Sequence, residues 1–284
     1  MKSKDQLIDE LLDLAFAEDV GDGDHTTLST IPADARGKSR LLIKEEGILS
    51  GVEVARKVLA KVDPDLKMEV FMHDGDRVKP GDVAFTAEGS VRSLLVAERT
   101  MLNIMQRMSG IATVTERYQS KLEGLNCKVL DTRKTTPGMR LLEKQAVKIG
   151  GGANHRIGLF DMILIKDNHV DFAGGIDKAV DAARNWCKEN GKDLRVEVEV
   201  RNEDEIRQAI KAGADRIMLD NFTPERTCGA VRIIREEGPG IEIESSGGIT
   251  LDTLRAYGET GVDFISVGAL THSVKGLDMS FKAC

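Results

Sequence analysis

The feature that most constrains the fold is a regular alternation of short apolar runs with amphipathic segments in the second half of the chain. The apolar runs, all between residues 128 and 270, read KVLDT, MILIK, RVEVEV, RIMLDN, IEIESS and FISVGAL. Segments with helical spacing, such as IDKAVDAARNWCKENG, stand between them. Strands that alternate with helices pair in parallel, because each helix carries the chain back along the sheet. The pattern therefore predicts six parallel strands with crossover helices.

The number of these units limits the architecture. Six strands are too few for a complete eightfold α/β barrel, so the pattern leaves two arrangements open, an incomplete barrel and an open, doubly wound sheet. No G-x-G-x-x-G follows the first strand, and no G-x-x-x-x-G-K-[ST] occurs in the chain. The common dinucleotide site and the P-loop are therefore not predicted.

The first part of the chain has a different pattern. Residues from about 36 to 90 combine β-prone segments with the turn residues of HDGDRVKPGDVAF, which predicts a strand-rich domain. Biotinyl and lipoyl carrier domains resemble this segment in having a GDxVxxGD turn, but their modified lysine follows the turn. Here Lys67 precedes it, so we interpret the segment as a β-sandwich turn.

A long helix is predicted over SLLVAERTMLNIMQRMSGIATVTERYQSKLEG, with Gly110 as a candidate break. Helical spacing places four apolar side chains on one buried face, namely Met101, Met105, Met108 and Ala112. Arg99, Asn103 and Gln106 share a second face, because residues three and four apart are neighbours on a helix. We expect this second face to be solvated.

Composition excludes several classes of protein. The formal net charge is −7, from 40 Lys and Arg against 47 Asp and Glu, so a nucleic-acid surface is not expected. The four cysteines show neither a CxxC pair nor a Cys/His metal spacing, and we interpret them as reduced thiols of a cytoplasmic protein. No run is apolar and long enough to cross a membrane, and acidic residues interrupt the N-terminal leucines, unlike a signal peptide.

Polar residues and glycines follow all six predicted strands. Ligands of parallel α/β folds bind at the carboxyl ends of the strands, so these residues form one candidate site. In chain order they are Arg133 and Lys134; Lys166, Asp167, Asn168 and His169; Glu199; Asp220 and Asn221; Ser245, Ser246, Gly247 and Gly248; and Gly268 and Ala269. Any one of them could be a cap or a turn, but their coincidence at six strand ends favours a ligand site.

Small residues end the last two strands, in SSGGIT and SVGAL. Gly247, Gly248 and Gly268 would let the backbone approach a ligand just before helices, where free N–H groups attract phosphate. Barrels commonly bind phosphate after their final strands. The two glycine turns therefore predict a phosphate site, although loop glycines also occur without a ligand.

Charged residues at other strand ends predict a metal and an anion site. Glu199 and Asp220 end neighbouring strands with no soft ligands nearby, which suits Mg²⁺. They could also balance the lysines through salt bridges, and both roles can hold at once. Arg133, Lys134 and Arg156 would form a cationic pocket in an acidic protein, and arginine binds carboxylates and phosphates through two parallel hydrogen bonds.

Nine segments resemble quinolinate phosphoribosyltransferase, a family also called carboxylating nicotinate-nucleotide pyrophosphorylase. They are EDVGDGDHTT, AERTMLNIMQRMSGIAT, DTRKTTPGMR, GGGANHRIGL, ILIKDNH, EVEV, IMLDNF, ESSGGIT and TGVDFISVGALTHS. They run in order from residue 18 to residue 273. The resemblance thus covers nearly the whole chain, and several segments are long and distinctive.

The resemblance implies a fold, an assembly and a reaction. The fold is α/β, with an N-terminal open α/β sandwich and linking helix over residues 1–112 and an incomplete parallel α/β barrel over residues 113–284. The extreme C-terminus is expected to pack back on the first domain. The assembly is a homodimer with active sites between subunits, or a higher oligomer. The reaction, in de novo NAD biosynthesis, converts quinolinate and 5-phosphoribosyl diphosphate, with Mg²⁺, into nicotinate mononucleotide, CO₂ and diphosphate.

The resemblance also implies residue roles. The quinolinate carboxylates would be held by Arg133, His155 and Arg156, joined by Arg99 of the partner subunit. The phosphoribosyl donor and its Mg²⁺ would be surrounded by Lys134, Lys166, Glu199 and Asp220, with metal contacts that are direct or through water. The 5-phosphate would be cradled by Ser246, Gly247 and Gly268. Further substrate-binding candidates are Thr132, Gly248, Ala269 and His272.

Three alternatives stay open at the level of sequence. A paralogous phosphoribosyltransferase-like protein could use another substrate. A barrel aldolase could use Lys134 or Lys166 as a Schiff-base lysine. A carrier protein would rest on the GDRVKPGD turn alone.

Overall fold

The computed structural model describes residues 2–284. The helices are α1 (Lys4–Val20), α2 (His25–Thr30), α3 (Val52–Val62), α4 (Val91–Ser120), α5 (Arg140–Ile149), α6 (Asp167–Ala173), α7 (Ile176–Glu189), α8 (Glu203–Lys211), α9 (Pro224–Glu237), α10 (Leu254–Gly258) and α11 (Ala269–His272). The strands are β1 (Arg36–Ile43), β2 (Gly47–Ile48), β3 (Lys67–Val70), β4 (Arg77–Val78), β5 (Val83–Ser90), β6 (Lys128–Leu130), β7 (Ile163–Ile165), β8 (Val196–Val200), β9 (Arg216–Asp220), β10 (Glu242–Ser246), β11 (Phe264–Ser266) and β12 (Met279–Ala283). None of these helices has both the length and the apolar composition that a membrane span requires.

The chain forms two units that are interleaved along the sequence. The first unit contains the chain up to Glu116 together with Thr135–Gly151 and Ala269–Cys284. The second unit contains Arg117–Lys134 and Gly152–Gly268. The single boundary expected after residue 112 stays a prediction.

The first unit is built on an antiparallel sheet with the strand order β12-β1-β5-β3. Leu41 on β1 lies opposite Phe85 on β5 and opposite Phe281 on β12. The three side chains are buried, and the two phenylalanine rings lie 6.3 Å apart. This apolar row ties the last strand of the chain to the first.

Helix α4 runs without interruption for 30 residues, so the candidate break at Gly110 was wrong. Gly110 serves packing instead, because a Cβ atom at this position would overlap the backbone oxygen of Lys275. The buried methionine face is confirmed, since Met101, Met105 and Met108 are fully inaccessible to solvent.

The second face of α4 is only partly solvated. Arg99 and Asn103 are exposed, as expected. The prediction was wrong for Gln106, whose side-chain amide donates a hydrogen bond of 3.1 Å to the backbone oxygen of Met279. The partner of Gln106 is distant in sequence, which the helical spacing could not reveal.

The second unit contains all six predicted parallel strands, in the order β6-β11-β10-β9-β8-β7. From β7 to β11 each strand pairs with the next one in the chain. Among these six strands, the first, β6, pairs with the last, β11. A doubly wound sheet would reverse its order at a switch point, and this order has no reversal. Within residues 2–284, β6 and β7 are not paired. The expected α/β class with an incomplete parallel barrel is confirmed.

Candidate active site

The register of the parallel sheet places three predicted site residues on one face. Glu199 on β8 lies opposite Met218 on β9, and Ser246 on β10 lies opposite Asp220 on β9. Opposite residues in a ladder project to the same face, and so do residues two apart on a strand. Glu199, Asp220 and Ser246 therefore share one face at the carboxyl ends of their strands.

A lysine reaches the same edge from the neighbouring strand. Lys166 directly follows β7, and its Nζ atom lies 2.7 Å from Oε2 of Glu199. The Lys166 side chain is about half exposed, whereas Glu199 is buried. The predicted salt bridge between a lysine and an acidic strand end is thus present. A carboxylate has two oxygens that each accept several contacts, so this ion pair is compatible with a metal contact at Glu199.

Two strand-end turns interlock beside Asp220. The side-chain amide of Asn221 donates to Asp220 Oδ2 at 2.7 Å, and its backbone N–H donates to the backbone oxygen of Ser246 at 2.9 Å. Gly247 has φ +101°, and a Cβ atom there would overlap the Asn221 side chain. Only glycine meets both requirements at residue 247. Gly248 also has a positive φ, of +62°, and faces open space.

The helices after the last two strands are short. Helix α10 has five residues and begins well after Gly247, and α11 has four residues and directly follows Gly268. Any phosphate contact near Gly247 would therefore use N–H groups of the turn rather than a helix terminus. Ala269 and His272 lie on α11 in the first unit, where His272 Nδ1 is 2.6 Å from the hydroxyl of Ser273.

The turn after β6 is fastened to the glycine-rich loop by a buried carboxylate. Asp131 is fully buried and accepts the backbone N–H of His155 at 2.9 Å and a hydrogen bond from the Asn154 side chain. Thr132 Oγ1 accepts the backbone N–H of Lys134 at 3.0 Å. This framework leaves Lys134 and the neighbouring Arg133 exposed to solvent.

Arg133 and Arg156 form a cationic pair. Burial lowers the pKa of the Arg156 guanidinium, and the charge of Arg133 lowers it further. Arg156 is half-buried, and its Nη1 donates to the backbone oxygen of Met162 at 3.3 Å. Two neighbouring guanidinium groups repel each other, and an anion that binds both relieves this repulsion. The pair is therefore suited to a ligand with two carboxylates.

Arg99 belongs to the first unit rather than to this group. It lines a cavity of about 560 Å³ together with side chains from α1, α4 and the turn before α5. Asn103 and Arg107 lie on the same wall. The structure therefore groups Thr132, Arg133, Lys134, His155, Arg156, Lys166, Glu199, Asp220, Ser246, Gly247, Gly248 and Gly268 in the second unit, and Arg99, Ala269 and His272 in the first.

Comparison with known proteins gives the family. Models of the N-terminal and C-terminal domains of quinolinate phosphoribosyl transferase match residues 24–109 and 111–282. The chain belongs to the quinolinate phosphoribosyltransferase family. Quinolinate phosphoribosyltransferase [decarboxylating] 1b of Nicotiana tabacum is 44% identical to it over 285 residues, which cover 96% of this chain and 81% of the relative.

Two bacterial members of the quinolinate phosphoribosyltransferase family are similarly close. The probable nicotinate-nucleotide pyrophosphorylase [carboxylating] of Bacillus subtilis is 43% identical over 272 residues, which cover 95% of this chain and 91% of the relative. The solved structure of nicotinate-nucleotide pyrophosphorylase from Francisella tularensis has a TM-score of 0.90 and 41% identity, covering 100% of this chain and 98% of that chain.

This quinolinate phosphoribosyltransferase family member contains a buried charged cluster of which only His155 was predicted as a site residue, and Glu197, Arg216 and Glu244 were not. Glu197 and Glu244 are completely buried, and His155 and Arg216 are 8% and 6% exposed. Burial raises the pKa of Glu197 to about 7, against the opposing charge of Arg216. Burial and the charge of Glu197 raise the pKa of Glu244 to about 8. The glutamates alternate with apolar residues inside VEVEV and EIESS, and this alternation is the only pattern in the sequence that could have indicated the cluster.

Proposed function

We propose that the protein is a decarboxylating quinolinate phosphoribosyltransferase of NAD biosynthesis. It transfers the phosphoribosyl group of 5-phosphoribosyl diphosphate to quinolinate and releases CO₂ and diphosphate. The observation that carries this function, within the family, is the pairing of Arg133 with Arg156, because quinolinate presents two adjacent carboxylates.

The second substrate would bind along the acidic and lysine-bearing strand ends. Lys134 and Lys166 attract the diphosphate, and the 5-phosphate binds at the glycine turns, where Ser246, Gly247, Gly248 and Gly268 lie, with Ala269 and His272 following in the chain. Glu199 and Asp220 offer oxygen ligands on one face of the sheet, a donor set that fits Mg²⁺. Mg²⁺ held there would neutralise charge on the departing diphosphate.

The reaction needs no protein nucleophile. The pyridine nitrogen attacks the anomeric carbon of the ribose, a new C–N bond forms, and the C–O bond to diphosphate breaks. Positive charge develops on the sugar and negative charge on the leaving group, which Lys134 and Lys166 stabilise. The ring nitrogen is then cationic and stabilises the electron pair that stays on the ring carbon when the C–C bond to the 2-carboxylate breaks. Loss of CO₂ and uptake of a proton by the ring carbon give nicotinate mononucleotide, a step that positioning alone can promote.

The decisive assay compares quinolinate with nicotinate in the presence of 5-phosphoribosyl diphosphate and Mg²⁺. We expect nicotinate mononucleotide and CO₂ from quinolinate and no product from nicotinate, which lacks one carboxylate for the arginine pair. Chelation of Mg²⁺ should abolish turnover. Absence of product from quinolinate would favour the paralogous phosphoribosyltransferase with another substrate. Borohydride trapping of a carbonyl compound on Lys134 or Lys166 would favour the aldolase.

The arginine assignment is tested by Arg133→Ala. Loss of one charge-assisted contact of this kind costs about 1.5–3 kcal/mol, so the KM for quinolinate should rise by roughly 10- to 150-fold with the fold intact. Arg235→Ala is the matched control, because Arg235 forms an exposed ion pair with Asp263. Similar kinetics of the two variants would refute the role of Arg133.

We also propose that the active enzyme is a homodimer in which Arg99 of the partner subunit completes the quinolinate site. The exposure of Arg99 beside a cavity supports this proposal. Mixing inactive Arg99→Ala with inactive Lys166→Ala should restore part of the activity, because one site of each mixed dimer is intact. Mixed dimers that form and stay inactive would exclude the shared site. Assembly beyond a dimer and location in the cytoplasm stay predictions.

A further inference from the structure

The charged cluster below the strand ends is not built for stability. Glu197 on β8 and Glu244 on β10 flank Arg216 on β9, and all three are buried. Arg216 donates to Glu244 at 3.2 Å, but its closer contacts, 2.7 and 2.9 Å, go to the half-buried Glu242. Across residues 2–284 no hydrogen-bond partner reaches either carboxyl oxygen of Glu197, Oε1 of Glu244 or Nε2 of His155. Burial of carboxylates without full compensation is unfavourable, so the cluster is retained at a cost in stability.

The side chain that these carboxylates face is His155. Its Nε2 atom lies 3.1 Å from Glu197 Oε2 and 3.5 Å from Glu244 Oε2. Arg216 Nη1 also donates to Glu244 Oε2, at 3.2 Å, while its guanidinium stacks on the Phe264 ring, 4.5 Å from the centroid. The two glutamates therefore converge on one edge of the imidazole.

The opposite edge of the imidazole holds the backbone of Arg156. Nδ1 of His155 accepts the N–H of Arg156 at 2.7 Å. An Nδ1 atom that accepts carries no proton, which places the ring proton on Nε2, facing the two carboxylates. The His155 ring thus connects the buried glutamates to the residue that carries the guanidinium of the quinolinate pocket.

The loop on either side of His155 is fixed as well. The backbone N–H of His155 donates to Asp131, and those of Ile157 and Gly158 donate to Asp161 at 2.8 and 2.9 Å. The imidazole contact is therefore one route by which the sheet interior acts on Arg156, beside the direct attraction between the charges of Glu197 and Arg156. A small rotation of the ring would shift the guanidinium, and misplacement of a binding group by 1 Å can cost about 100-fold in rate.

We propose that Glu197 and Glu244 are positioning residues for quinolinate that act through His155 and Arg156. The inference rests on the proposed function. The glutamate carboxyl groups lie 3.1 and 3.5 Å from His155 Nε2 and attract its proton, and this contact sets the ring orientation that aims Nδ1 at the N–H of Arg156. The Arg156 guanidinium is thereby directed at a quinolinate carboxylate.

The phosphoribosyl donor is assigned to groups such as Glu199 and Ser246, two residues further along the same strands. Its affinity should depend little on the relay, because the ion pair recorded for Glu199 is with Lys166 and not with His155.

The test compares Glu197→Gln and Glu244→Gln with the wild-type enzyme in steady-state kinetics for each substrate. A glutamine amide has one acceptor oxygen where a carboxylate has two, and its NH2 group cannot accept the Nε2–H. We therefore expect the KM for quinolinate to rise about tenfold. The KM for 5-phosphoribosyl diphosphate should stay within about twofold, a split that general loosening of the fold would not produce.

Glu242→Gln is the matched control. Glu242 binds the same Arg216 on the same strand as Glu244, but it is not among the carboxylates that lie close to His155. Its quinolinate KM should stay within about twofold of wild type. An equal effect of all three glutamine variants, or an equal rise of both substrate KM values, would overturn the proposal.

A double-mutant cycle with His155→Asn shows whether the glutamates act through the imidazole. Asparagine can still accept near the Nδ1 position and lacks an atom at Nε2. We expect it to raise the quinolinate KM by about the same factor, and Glu197→Gln to add less than twofold in its background. Full additivity would exclude the relay. If one glutamine variant fails to fold, the other carries the same prediction of a substrate-specific KM rise.

The wild-type assay separates this proposal from the function on which it rests. Product formation from quinolinate by the unmodified enzyme establishes the reaction before any variant is made. An inactive wild type would defeat the function, whereas an active wild type with unchanged glutamine variants would defeat only the relay.

Discussion

Two buried ion clusters, one in each unit, differ in how completely their charges are matched. In the first unit one carboxylate, Glu143, meets one guanidinium, Arg107, at 2.9 and 3.0 Å, and its second oxygen accepts the N–H of Thr136 at 3.2 Å. In the second unit Glu197 and Glu244 share a single buried guanidinium, which Glu242 also binds.

Complete pairing of buried charges is typical of an ion pair that stabilises the fold, and incomplete pairing is not. Each oxygen of Glu143 accepts a hydrogen bond. Arg107 also donates hydrogen bonds to the hydroxyl of Thr136 and to the backbone oxygens of Thr271 and Val274. Hydrogen bonds to all charged atoms offset the desolvation cost of a buried ion pair. The second cluster lacks such complete pairing and instead faces His155, at the margin of the substrate site. The matched contacts of the first cluster stabilise its unit, whereas the second cluster, in our proposal, serves quinolinate binding.

The largest effect should come from breaking the matched pair with Arg107→Leu. Glu143 would then be a fully buried carboxylate without its cation, which costs about 3–5 kcal/mol. The free energy of unfolding in urea should fall by that amount. Adding Glu143→Leu should recover much of the loss, because two apolar side chains can replace a buried pair.

Arg207→Leu is the control for loss of an arginine on a helix. Arg207 forms ion pairs with Glu203 and Glu237 that are all about half exposed, and such pairs contribute about 1 kcal/mol or less. If Arg107→Leu costs no more than Arg207→Leu, the matched cluster does not stabilise the first unit.

Sequence periodicity predicted the part of the fold that depends on local pattern. The six strands of the second unit were found because each is a short apolar run between helical segments. Their carboxyl ends could be collected into one site for the same reason, since all strands of a parallel sheet end at one edge. The register then places Glu199 and Asp220 on the same face at this edge, as expected for the ends of parallel strands.

Contacts between distant segments could not be predicted in this way. The pairing of β12 with β1 and the approach of Lys275 to Gly110 join residues more than 150 positions apart. Glu197 was missed for a different reason. Alternating glutamates in a strand ordinarily indicate a solvated face, and here every residue of β8 is buried.

The mismatched cluster should make stability depend on pH through Glu244. Its pKa is raised from 4.5 to about 8 by burial and by the charge of Glu197, so the folded state holds the proton more tightly than the unfolded chain. That stabilisation is complete below about pH 4.5 and is lost as the pH rises through about 8. Between about pH 5 and pH 9 the wild type should lose on the order of 2–4 kcal/mol relative to Glu244→Gln, which cannot ionise.

Urea unfolding of both proteins across this range gives the difference, and Glu242→Gln provides the control. Burial raises the pKa of Glu242, but hydrogen bonds from Arg195 and Arg216 outweigh it and lower the pKa overall. Glu242 therefore stays ionised throughout, and its variant should parallel the wild type. If the free energy of unfolding of Glu244→Gln has the same pH dependence as that of the wild type, the pKa of Glu244 is not raised by burial.

The smallest effects concern the close packing behind the matched cluster. Gly110 lies one turn from Arg107 on α4 and lets the backbone of residues 274–276 approach the helix. That segment provides the Val274 oxygen bound by Arg107. A methyl group in Gly110→Ala would push the segment away, at a cost of about 1–3 kcal/mol.

Gly229, inside α9 of the second unit, is the matched control. A Cβ atom there meets nothing within 4 Å, so Gly229→Ala should stabilise the protein by about 0.5–1 kcal/mol, the helix preference for alanine. The two substitutions should thus have opposite signs in urea unfolding. Because Gly110 and Arg107 act on the same segment, Gly110→Ala should cost less in an Arg107→Leu background than in the wild type. If the effects of the two substitutions on the free energy of unfolding are strictly additive, the ion pair of Arg107 does not depend on the close backbone packing at Gly110.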